Sequence, residues 1–429
     1  MKKLIFFIIC TSFMSPLFSW GSHYLVTDKA LQHPAIARQV LKKVKVESLD
    51  AFLSAEKDAV AAVFTEFYSY LEKKGSKRFQ KIPFDTQKPD TKSFIRALRL
   101  HPDIKFALVN RVLPGHYPRY PLVPARDISP HLEKERNAIF ENVEGQMVTV
   151  ASILTTFSDE PDWGMDLNLW NMTEYGYGKQ PYGNPEGIST QAPFHITYQH
   201  EPTIVRTIKP EISEGMSPDR VYLFSALAKL AMKTGHEYWA YRFAADALHY
   251  IQDLCQPYHS KAIPHANWIY YTAAAITSNF SLMEKKTVQL IANRHFLYED
   301  FVAYSLFNSY VEPNRMNQKL SEFLFTSNPY MKKASPKSTD SLIFNVTSFA
   351  SMQGKELDTV IQKTFGYMMT QNGDYNFEDD YTSGKFQMDR FVKGLDRAEA
   401  DNILQMTGKN FRSTAQASRT YLKHIGFLR

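Results

Sequence analysis

Apolar residues recur at helical spacing along nearly the whole chain, and no stretch sustains the alternation that a β-sandwich needs. Helices are predicted over residues 49–73, 138–157, 217–235, 236–255 and 287–310, with three more helical segments beyond Arg315. Pro218 lies in the first turn of one of them, Gly235 stands where a C-terminal cap belongs, and Pro257 stops the next. Residues 159–212 break the pattern, being rich in Gly, Pro, Asn and Tyr. Irregular stretches of that length are usually functional or disordered, and the aromatics here argue against disorder. The expected fold class is all-α.

The first nineteen residues read differently, as a secretory signal peptide. Lys2 and Lys3 form the positive end, residues 4–10 an apolar run too short to span a bilayer, and Leu17, Phe18 and Ser19 a cleavage site. Cleavage after Ser19 makes Trp20 the new N-terminus and removes Cys10. No later stretch approaches a membrane span, so a secreted or periplasmic product is expected.

Composition narrows the chemistry. At 44% hydrophobic and 22% charged the chain is globular, which excludes a disordered or collagen-like protein. The formal charge of +6 is spread along the sequence and is too small to argue for nucleic acid. Cys10 and Cys255 are the two cysteines, so there is no thiolate zinc site and no disulfide framework. No GxSxG elbow or Walker loop is present. The 13 histidines are therefore the ligands to place.

On a helix, residues i and i+4 share a face, so a His and a carboxylate so spaced can grip one cation. Composition alone gives about 1.3 such pairs by chance. The sequence has His131/Glu135, His249/Asp253 and His295/Glu299. The first lies among charges and reads as a solvated helix face. The last lies on a helix apolar all round, where a carboxylate needs either an internal basic partner or a metal. His249 and Asp253 share a polar stripe with Arg242, Asp246 and Gln256, which by periodicity alone would face solvent. His259, six residues after Asp253 and just past Pro257, shifts that reading toward a metal site. Nitrogen and oxygen ligands without thiolate suit zinc.

The segment FSALAKLAMKTGHEYWAYRFAADALHYIQDLCQPYHS, followed by NRHFLYEDF, resembles the core of the zinc-dependent phospholipase C and P1-type nuclease superfamily, the phospholipase C branch more closely. WGSHYLVTDKAL, starting at the expected cleavage point, resembles that family's mature N-terminus. The likeness covers roughly residues 20–31 and 158–304. It implies a multi-helix domain with a trinuclear zinc cleft over residues 20–312, preceded by the signal peptide at 1–19 and followed by a helical C-terminal extension at 313–429.

Three Zn2+ ions are implied by the same resemblance. Trp20, through its freed amino group and carbonyl, His23 and Asp253 would hold one. His249, Asp253, His195 in APFHITY and an aspartate from SDEPDWGMD would hold a second, and His259, His295 and Glu299 the third. Asp162 is preferred among Asp159, Asp162 and Asp166 for its Pro-Asp-aromatic setting, with Asp159 next, and the resemblance implies for it the catalytic task of orienting the attacking water or accepting its proton. The implied activity is hydrolysis of a phosphodiester by zinc-bound hydroxide, zinc lowering the pKa of its water to about 7. Phospholipid at a membrane surface is the expected substrate, single-stranded nucleic acid the alternative, and no protein partner is implied. The stretch between Asp162 and His195, with Tyr175, Tyr177 and Tyr182, is read as a lid or substrate wall, or else as a passive surface loop.

Overall fold

The computed structural model describes residues 22–76, 78–116, 121–129, 138–183, 190–208, 210–262, 280–327 and 336–429. The expected signal peptide, Trp20 and the His131/Glu135 pair lie outside the described residues. Helix accounts for 65% of the structure and strand for 4%, which places the chain in the all-α class. Among the described residues no helix is long and apolar enough to cross a membrane.

The first half of the chain forms α1 (His23–Leu31), α2 (Leu49–Lys73), α3 (Thr91–Leu98), α4 (Ala125–Ile128), α5 (Val150–Phe157), α6 (Ala192–His195) and α7 (Thr203–Ile208). The second half forms α8 (Ser217–Lys233), α9 (Glu237–Cys255), α10 (Pro257–Ser260), α11 (Phe280–Val311), α12 (Arg315–Phe323), α13 (Thr339–Gln371), α14 (Phe377–Thr382), α15 (Met388–Gly394) and α16 (Arg397–His424). Two antiparallel strand pairs accompany them: β1 (Lys43–Lys45) with β4 (Met147–Thr149), and β2 (Val109–Arg111) with β3 (Ile139–Glu141).

Those strands correct one expectation, since residues 138–157 are not a single helix. Ile139, Val143 and Val148 are β-branched and favour extended backbone, and Val148 pairs with Val44 and points into the core. The helix starts only after Thr149, whose side chain accepts a hydrogen bond from the Ser152 amide at 3.1 Å.

α9 is the axis of the molecule, packed against α5, α8, α13 and α16. Trp239, Phe243, Ala247, Ile251 and Leu254 make the apolar side that the periodicity predicts, and all are buried. The polar stripe opposite does not face solvent: Arg242, Asp246, His249, Asp253 and Gln256 are each 0% exposed. Such groups cost several kcal/mol apiece unless partnered inside.

Two cores flank this helix. One joins α2, α8 and α9 and takes in Leu342, Ile343, Val346, Ala417, Tyr421 and Leu422; the other joins α1 and α11 and takes in Leu357, Ile361, Ile403, Leu404 and Phe411. Residues beyond 313 thus contribute to both. In the irregular stretch, Tyr175 and Tyr177 are neither lid nor surface loop. They are buried in a small core with Ile82, Leu169 and Phe194, their hydroxyls donating to the carbonyls of Leu100 and Arg99. Tyr182 is half-buried against Tyr198.

Candidate metal centre

α5 ends at a tight turn, residues 158–164, closed by Gly164 in the left-handed region at φ 103°. The turn aims its acids in different directions. Asp159 meets the Arg111 guanidinium at 2.8 Å, and Glu160 takes a two-pronged hold on Arg242, at 2.9 and 2.6 Å. Beyond the turn, Asp166 accepts from Arg220 at 3.0 Å and from the Tyr250 hydroxyl at 2.6 Å. Asp162 is the one of these four that sits among several histidines, 3.6 Å from His249 Nε2, 3.9 Å from His23 Nε2 and 4.0 Å from His195 Nδ1. Both of its oxygens are buried without a hydrogen-bond partner among the described residues.

Asp253 lies at the centre. Its Oδ2 is 2.8 Å from His195 Nδ1 and 3.2 Å from His249 Nε2; its Oδ1 is 3.4 Å from His23 Nε2 and 3.4 Å from His259 Nδ1. The i,i+4 spacing on α9 supplies one of these contacts. The other three need α1, α6 and α10, brought in from the N-terminus, the irregular stretch and the far side of Pro257.

The third pair of the sequence extends the cluster. His295 Nε2 on α11 is 2.7 Å from Glu299 Oε1, and His259 Nε2 is 3.0 Å from His295 Nε2 and 3.1 Å from the same carboxylate oxygen. Tyr258 and Arg294 hold α10 and α11 in place by converging on Asp358 of α13, at 2.8 and 2.9 Å.

Three groups result: His23, His249 and Asp253; Asp162, His195 and His249; His259, His295 and Glu299. Within each, the ligand atoms lie within 4.8 Å of one another. Each group could hold a metal ion. Trp20, which the resemblance assigns beside His23 and Asp253, lies outside the described residues; among those described, His249 completes that group.

The protonation pattern expresses the same demand for positive charge. Burial lowers the pKa of His23, but Asp253 outweighs it and raises the value to about 9. Burial also opposes His195, which Asp166 and Asp253 lift to about 10. His249 is pushed down to about 4 by burial and by the charge of His23. Burial would raise Asp253, yet the surrounding imidazoles hold it well below the carboxylate range, and His295 and His259 bring Glu299 to about 2 against burial. Burial raises Asp162 well above its ordinary value. Protons are therefore doing here what a divalent cation would do, a good fit of this oxygen and nitrogen donor set to a metal.

Sequence spacing does not reveal the groups behind the ligands. His249 Nδ1 donates to the Ser158 carbonyl at 2.9 Å, and His195 Nε2 lies 3.5 Å from Asp166, one of the three aspartates among which the resemblance left the ligand to be chosen. Such outer contacts orient an imidazole and set its tautomer. The other described histidines stay apart from the cluster: His236 meets Glu47 at 2.8 Å, His101 lies 3.8 Å from Asp103, and His200 reaches Thr347 at 2.8 Å. Cys255 is buried, its thiol directed at the Ile251 carbonyl. Comparison with protein-family models, with curated proteins and with solved structures finds no match.

Proposed function

We propose that this chain is an exported zinc-dependent phosphoric diester hydrolase of the phospholipase C and P1-type nuclease kind, with phospholipid as its substrate. The observation that carries the reading is Asp253, a single buried carboxylate within 3.4 Å of four imidazoles from four segments, with Asp162 turned into the same cluster. A structural ion pair needs one partner, whereas this arrangement suits several cations sharing a bridging carboxylate. His and carboxylate donors without thiolate favour zinc.

Bound there, zinc would supply Lewis acidity toward a phosphate oxygen and lower the pKa of water to about 7. The protein's own part is orientation and proton handling. Ser158 and Asp166 fix the rings of His249 and His195, and Asp253 holds the two groups that share His249 in register. Asp162, with both oxygens free of hydrogen bonds among the described residues, is placed to accept a proton from the attacking water. Water oxygen bonds to phosphorus, the bond to the alcohol oxygen breaks, and a proton passes to that oxygen, giving an alcohol and a phosphomonoester.

The test is direct. Zinc-loaded protein beginning at Trp20 is incubated with phosphatidylcholine vesicles and, separately, with single-stranded DNA. Release of phosphocholine with intact DNA is the expected result. Cleaved DNA with intact lipid transfers the site to the nuclease alternative, and bound zinc with neither substrate cleaved removes the enzymatic reading.

A further inference from the structure

His23 can meet a cation through Nε2 only if its proton resides on Nδ1, and the structure shows what enforces this. Nδ1 lies 2.9 Å from Gln252 Oε1, both atoms buried. The Gln252 amide nitrogen lies 2.8 Å from Thr27 Oγ1 on α1 and 3.2 Å from Ser418 Oγ on α16. An amide can be turned over, so its orientation must be read from its partners. Ser418 decides it: its hydroxyl proton already goes to the Thr414 carbonyl at 2.8 Å, so Ser418 Oγ can only accept from Gln252. The amide nitrogen therefore faces Ser418, the amide oxygen faces His23, and His23 Nδ1 must donate. That leaves Nε2 as the lone pair directed at Asp253 and Asp162.

We infer that α16 sets the tautomer of His23 through a Ser418–Gln252–His23 relay, so that Gln252 and Ser418 are positioning residues for the cation held at His23. The relay rests on the metal reading of His23. It also gives the C-terminal helix a task in the site: a serine 395 positions after His23 in sequence chooses which ring nitrogen is available.

Zinc titration with native mass spectrometry, together with 15N-histidine spectra of the zinc-loaded protein, tests it. In the wild-type protein His23 is expected to bind zinc through Nε2 and to show a slowly exchanging Nδ1–H. Gln252→Leu should lose that proton's protection and weaken one zinc by about 10–100-fold, leaving the ion at His259, His295 and Glu299 unchanged. Should Gln252→Leu fail to fold, Ser418→Ala decides: it should weaken the same ion, to a smaller extent. Ser413→Ala, which removes another buried hydroxyl of α16 whose bond goes to the Lys409 carbonyl, should weaken none. Zinc ligation through Nδ1, or unchanged affinity in Gln252→Leu and Ser418→Ala, overturns the relay while the metal reading stands. Wild-type protein that takes up no zinc overturns both.

Discussion

One carboxylate carries one negative charge, yet Asp253 has four imidazoles around it. Without metal, His23 and His195 settle this by holding protons to about pH 9 and 10, whereas in the unfolded chain they release them near 6.5. The folded state thus binds more protons across that interval. The stabilisation is complete below pH 6.5 and is lost as pH rises through about 10. Chelator-treated protein should accordingly melt at progressively lower temperature at pH 6.5, 8 and 10, by calorimetry. Zinc reverses the trend, because its ligands must be deprotonated: the rise in melting temperature on adding zinc should be larger at pH 8 than at pH 6.5. At this scale spacing singles out His249, Asp253, His259, His295 and Glu299, since i,i+4 on a helix is a local rule. That Asp162 rather than Asp159 or Asp166 is left without a hydrogen bond among several histidines is not local. It follows from Arg111 and Arg220 taking the other two, and both arginines are distant in sequence.

Helices make the cluster rigid, and their packing can be tested away from the chemistry. α12 and α16 approach closely at Gly408, where an added Cβ would run into the Phe323 ring. By helix propensity alone Gly408→Ala should stabilise the protein by about 0.8–1 kcal/mol. Overpacking typically costs about 1–3 kcal/mol, so the net expectation is a lower melting temperature with unchanged zinc stoichiometry. A rise in melting temperature would show that the ring moves aside. The ends of α2, α8 and α9 are legible in the sequence because Pro, Gly and the apolar period mark them. The strands before α5 were not, because three-residue strands are too short for an alternation to register, and their pairing with residues 43–45 and 109–111 is long-range. The polar stripe of α9 misled for a related reason: amphipathic period says which residues share a face, not what lies against it.

At the scale of the whole molecule, the region beyond residue 313 is built into both cores rather than appended to a finished domain. Ile403, Leu404 and Phe411 belong to one core and Ala417, Tyr421 and Leu422 to the other, each apolar side chain larger than alanine worth about 1.5–3 kcal/mol when buried. A chain ending at Asp396 loses all of them, a deficit comparable to the whole stability of a domain. It should show no cooperative unfolding transition by circular dichroism and should bind no zinc. A folded, zinc-binding fragment would instead make residues 397–429 dispensable.

The sequence by itself determined the helical class, the pairing of histidine with carboxylate along α9 and α11, and the scarcity of cysteine, because each depends on residues within a turn or two of one another or on composition alone. Tertiary structure decided the rest: which aspartate sits among several histidines, that the polar face of α9 is buried, that Tyr175 and Tyr177 pack as core, and that a serine near the C-terminus governs a histidine near the N-terminus. Those outcomes depend on side chains far apart in the chain competing for the same partner. A one-dimensional pattern carries no distance between them.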